Sequence, residues 1–116
     1  MFSAYVAVGI LTAAANGTAA TVDLLRPGWL IENMTRVGVP RRALIPLAIL
    51  KIAGALGLLI GIGVPPLGVA AATGLVLFFI GAMTAHLRVH DYTSLPFPGV
   101  FLLLAAASLV LRVASY

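Results

Sequence analysis

Four apolar stretches divide the chain, each close to the roughly 20 residues a helix needs to cross about 30 Å of hydrocarbon. Residues 1–22 carry no charged side chain, and Asn16 is their most polar member. Residues 43–64 contain Lys51, and residues 67–85 reach no ionisable group until His86. Residues 92–111 are uncharged, with the helix starting near Pro98, where a missing N–H costs little in the first turn. A chain 62% hydrophobic and 9% charged is not a water-soluble domain, in which about a quarter of residues carry charge. The expected fold is all-α: one domain over residues 1–116, an integral membrane four-helix up-and-down bundle, with a short interfacial helix between the first two spans.

The small residues of "TAAANGTAA" imitate a signal-peptidase site, but Met1-Phe2-Ser3 has no basic n-region and the apolar run exceeds a usual h-region. The segment is therefore expected to remain as the first helix. The absence of cysteine removes disulfide and thiol chemistry, so electron traffic would need a bound cofactor or a partner. A net charge of +4 reads here as the cationic flank of membrane helices, not as a nucleic-acid surface.

The charges also give an orientation. Arg26, Arg36, Arg41 and Arg42 fall in the first connection and Arg88 in the third, whereas the opposite side has Arg112 and the terminal amine. The positive-inside rule then places both termini outside a multi-pass protein of the cell membrane. In "RPGWLIENMTRVGVP", Pro27 opens a short helix with Trp29, Leu30, Met34 and Val37 on one face, and Glu32 pairs with Arg36 at i,i+4. Gly38 is the expected C′ residue, and Pro40 prevents continuation. Such a helix lies at headgroup depth, either as an anchor or as a lid.

Lys51 is the anomaly. It lies eight residues past Ala43, about 12 Å along its helix, where an ionisable group costs roughly 2.5 to 3.5 kcal/mol unless it snorkels or is paired. A carboxylate beside it would favour the ammonium, and a dry site without one would favour the neutral amine. On the first helix Thr12, Asn16 and Asp23 share a face, and the third helix brings His86 to the same end. Asn16, Asp23, Lys51 and His86 are thus expected to meet in a pocket open to the cytoplasm, with Asp23, Lys51 and His86 the candidate proton donors and acceptors. His86 and His90 would present two imidazoles to a metal only if the helix continued past His90, and further ligands are scarce there, so no metal site is expected. Gly57 and Gly61 have the GxxxG spacing of close helix packing or of a dimer face. Ser108 can bond back to its own helix, and Arg112 reads as a terminal anchor.

The run "PLAILKIAGALGLLIGIGVPPLGVAAATGLVLFFIGAMTAHLRVHD" resembles the DoxX-like membrane proteins. The matching positions are Lys51, Gly54, Ala55, Leu56, Gly57 and Leu58, followed by Ala82, His86, Leu87, Arg88 and Asp91. One departure is "TAHLR" where the family pattern has "THLR", which moves the threonine to Thr84. The resemblance implies a four-helix membrane protein linked to quinone or oxidative-stress chemistry, one that contributes by holding a quinone or lipid or by docking partners, with a bound quinone as the candidate cofactor. It adds Arg88 and Asp91 to Asn16, Lys51 and His86 as ligand-binding candidates.

Three readings follow. The chain binds a quinone-like or isoprenoid lipid at its polar centre; or it is an acid–base enzyme, an isomerase or epoxide-opening catalyst, acting on a lipidic substrate; or it is a non-catalytic subunit that docks a membrane partner or a second copy. Proton-coupled cation export, which needs a carboxylate at mid-membrane, is set aside because that depth of the first helix holds Asn16.

Overall fold

Tyr5, Gly9, Thr12, Asn16, Ala20 and Asp23 recur at three- and four-residue steps, and all are buried on one side of the first helix, α1 (Phe2–Leu25). That spacing is the seam of a left-handed helix pair, which keeps one stripe against its neighbours over the full length. The computed structural model describes residues 1–25, 27–93 and 95–115, with Arg41 described by its backbone alone. Arg26 and the Arg41 side chain, both used in the charge argument, lie outside the described residues.

A short helix α2 (Gly28–Arg36) and a 3-10 turn (Arg41–Ala43) lead into α3 (Leu44–Ile60), followed by α4 (Pro65–Arg88) and α5 (Pro96–Ala114). No strand occurs among the described residues. α1 packs on α3 and α5, and α4 packs on the same two helices, which closes a ring of four. Contacts fix the directions. Tyr5 reaches Leu58 while Asp23 reaches Lys51, so α1 and α3 are antiparallel. Thr12 meets Ser108 while Tyr5 meets Arg112, so α1 and α5 are antiparallel as well.

α1, α4 and α5 are long and apolar enough to cross a membrane. α3 is shorter, 17 residues or about 26 Å, because the chain turns at Gly61 and not at Val64 as expected. Pro65 and Pro66 then occupy the first turn of α4, where their missing N–H groups leave no bond unmade. α4 also runs beyond the expected residue 85 to Arg88, and α5 starts at Pro96, two residues before the expected Pro98.

Between α3 and α4 the backbones almost touch. A Cβ on Gly61 would collide with the Gly68 backbone, and one on Gly57 would sit 2.6 Å from the Ala71 Cβ. The GxxxG pair is therefore used inside the chain. Next to it lies the apolar core, where Leu58, Ala72, Leu75, Phe79 and Ala105 are buried and Phe79 tilts against Phe101 at 5.2 Å.

α2 differs from expectation in its faces. Leu30 and Val37 are buried, but Trp29 is 59% exposed, because it lies about 100° around the helix from Leu30. Arg36 bonds to Asn33 and not to Glu32, one residue nearer in sequence. Gly38 ends the helix as expected, at φ 84°, with Val39 N–H donating to the Met34 carbonyl and Gly38 N–H to that of Thr35.

Candidate functional site

The α1 seam carries polar groups at three levels. At the amino end of α1, the Tyr5 hydroxyl donates to the Leu58 carbonyl at 2.8 Å, and the Arg112 guanidinium lies 5.0 Å from the Tyr5 ring and 5.5 Å from that of Phe2. Arg112 is only 3% exposed, so it is packed into the bundle and is not a simple terminal anchor. One level on, the Thr12 and Ser108 hydroxyls are 3.1 Å apart and each also has a carbonyl of its own helix in reach, Val8 and Leu104, so the single proton of each hydroxyl is shared between these acceptors.

The third level holds the expected polar centre. Lys51 Nζ donates to Asp23 Oδ2 at 2.7 Å, the one ion pair among the described residues, and both side chains are at least nine-tenths buried. The antiparallel packing of α1 on α3 produces this contact. It brings the last turn of α1 level with the second turn of α3, whose first turn has begun after the α2 excursion. Lys51 therefore has the carboxylate partner that its depth demands. Its Nζ also lies 5.7 Å from the centroid of the Phe78 ring, at the attractive range for a cation over an aromatic face.

The other candidates bond elsewhere. Asn16 Nδ2 donates to the Thr12 carbonyl at 2.9 Å, while its Oδ1 is buried and accepts nothing from the described residues. His86 is half-buried, and its Nδ1 donates to the Ala82 carbonyl at 2.9 Å, which leaves Nε2 for any outside partner. Arg88 is exposed. Asp91 is 8% exposed, and its Oδ2 accepts nothing from the described residues. Of the expected cluster, the structure brings Asp23 and Lys51 into contact and gives Asn16 and His86 bonds within their own helices.

The histidine pair is separated by a turn. α4 ends at Arg88, His90 takes φ 56°, and Asp91 N–H closes back on the His86 carbonyl at 3.0 Å. His90 Nδ1 then meets the Tyr92 hydroxyl at 3.0 Å, pointing away from any shared face with His86. No three histidine or acidic side chains are grouped for a metal among the described residues.

An outward-opening groove of about 520 Å³ runs between α3 and α4. Ala53, Gly54, Gly57, Ala70 and Gly74 form its floor and walls, and Phe78, the ring beside Lys51, also lines it. The groove exists because side chains are missing: a Cβ on Gly74 would meet nothing within 4 Å. Depth along the helices locates the polar centre but not this groove, the Tyr5 bond or the burial of Arg112. The signals were present in the α1 heptad and in Ala105, Ser108 and Arg112, which recur at three and four residues on α5.

A family model described as the DoxX-like family matches residues 7–108. The chain belongs to the DoxX-like family. No curated protein and no solved structure matches it. Together with the apolar helices, the family makes this a membrane protein. The motif positions of this DoxX-like protein divide by role: Lys51, Gly54, Ala55, Gly57 and Leu58 are buried in the bundle, while Leu56 is 54% exposed and Arg88 lies at the surface.

Proposed function

We propose that this DoxX-like protein binds a quinone-like or isoprenoid lipid, with its polar head at the Asp23–Lys51 pair and its chain along the α3–α4 groove, and that it serves membrane redox or stress metabolism through that lipid. The observation that carries the reading is the position of Phe78, which lines the groove and also lies 5.7 Å from Lys51 Nζ. An ammonium has three hydrogens, so Lys51 can hold Asp23 and still donate to a carbonyl. Asn16 Oδ1 is a buried acceptor suited to a hydroxyl, and His86 Nε2, Arg88 and Asp91 are the further polar groups of the reading. In this arrangement α3 is the fourth crossing, both termini lie outside, and α2 rests on the cytoplasmic interface. The exposed Arg36, Arg42 and Arg88 support that orientation.

A carboxylate and an ammonium 2.7 Å apart also form a proton acceptor and donor, the observation that favours acid–base chemistry on the same lipid as the second reading. Docking of a partner or a second copy would use the open Gly74 face and so compete with the lipid for the groove.

The test is mass spectrometry of the organic extract from protein purified in mild detergent. A single quinone or isoprenoid enriched in wild type, and lost in both Lys51→Met and Gly74→Leu, is the expected result. The same ordinary phospholipids in all three samples would reject the reading.

A further inference from the structure

The end of the bundle where α1 gives way to α2 and α3 carries cations that, among the described residues, form no ion pair. Arg36 and Arg42 are exposed, and neither forms an ion pair, the single such pair among the described residues being Lys51 with Asp23. Glu32, one turn before Arg36, is exposed and forms no salt bridge among the described residues. Arg36 is instead tied to the neutral Asn33, which orients the guanidinium without cancelling its charge.

Arg42 lines a shallow, open depression, and Arg36 follows its lining residue Thr35 in sequence. A cleft of about 410 Å³ lies between the end of α2 and the start of α3, lined by Thr35, Gly38, Val39, Pro40 and Arg42. The backbone holds it open: Gly38 at φ 84° reverses the chain, and the N–H groups of Gly38 and Val39 are both bonded back to α2. Pro40 cannot extend the helix across the gap. Trp29, 59% exposed on the same short helix, is the residue type that settles at the level of lipid headgroups.

We propose that this cleft binds the phosphate-bearing headgroup of an anionic phospholipid, with Arg42 inside the cleft and Arg36 beside Thr35 pairing with its phosphate oxygens. Guanidinium matches phosphate through two parallel N–H bonds, and a lipid that is net negative offsets part of the local positive charge where a zwitterionic one does not. The site is separate from the Asp23–Lys51 centre and does not depend on the lipid assigned there.

Delipidated protein in mild detergent is titrated with dioleoyl phosphatidylglycerol, dioleoyl phosphatidylcholine and inorganic phosphate, reading retained lipid by native mass spectrometry and melting temperature in parallel. Phosphatidylglycerol is expected to be retained and to raise the melting temperature, with the other two inert. Arg36→Gln and Arg42→Gln should each weaken retention about five- to tenfold, the effect of one cation at an anionic surface, and Arg88→Gln, outside the cleft, should not. Both altered arginines are exposed, so the fold is not at stake. Equal retention of phosphatidylcholine, an equal effect of Arg88→Gln, or a shift reproduced by phosphate alone would each overturn the proposal.

Discussion

Lys51 and Asp23 lie 28 residues apart in sequence and meet at 2.7 Å inside the bundle, each held by a different helix. Neither side chain has an escape to water at this contact, so each accounts for the other's presence among apolar neighbours.

Removing one member should therefore hurt more than removing both. Lys51→Met leaves a buried carboxylate without its cation and is expected to destabilise by about 3–5 kcal/mol, while Lys51→Met with Asp23→Leu recovers much of that loss. Thermal melts in detergent of the two single variants and the double variant decide it; an additive double variant would mean that the pair is not coupled.

The α3–α4 contact should be intolerant of a single methyl group at one glycine and indifferent at another. Gly61→Ala meets the Gly68 backbone and is expected to cost about 1–3 kcal/mol, whereas Gly74→Ala should stay within about 0.5 kcal/mol of wild type. Equal melting temperatures for the two variants would contradict the observed helix approach.

Thr12 and Ser108 couple α1 to α5 at 3.1 Å, but both hydroxyls also bond to their own helices. A double-mutant cycle of Thr12→Val and Ser108→Ala should return a modest coupling of about 0.6 kcal/mol, the average for such bonds in membrane bundles. A coupling of several kcal/mol would show that the pair belongs to a larger network.

The two turns at the Asp23 end respond oppositely to substitution. Gly38, at φ 84°, should lose about 1–2 kcal/mol on Gly38→Val, because a side chain is strained there. His90, at φ 56°, already bears that strain, so His90→Gly should leave stability unchanged or raised. A lowered melting temperature for His90→Gly would mean that its contact with Tyr92 outweighs the backbone term.

Much of this was legible beforehand. Pro27, Gly38 and Pro40 bracketed α2 because each acts on its own backbone, and Lys51 stood out because charge at its depth is costly whatever surrounds it. The Asp23 contact followed from depth along antiparallel helices. The rest required rotation about the helix axis, which depth does not supply. Depth therefore does not show that Trp29 stands exposed while Leu30 is buried, that Asn16 and His86 bond within their own helices, or that Arg112 packs against Tyr5 where a terminal anchor is expected.

The sequence by itself determined an all-helical membrane chain with one charged centre, because in hydrocarbon every backbone N–H and C=O must be bonded within its own helix and each charge must find a partner. Only the tertiary structure decided which helix faces meet. The close approach of Gly61 and Gly68 sets how α3 meets α4 beside the groove, and the antiparallel packing of α1 on α3 carries Lys51 onto Asp23.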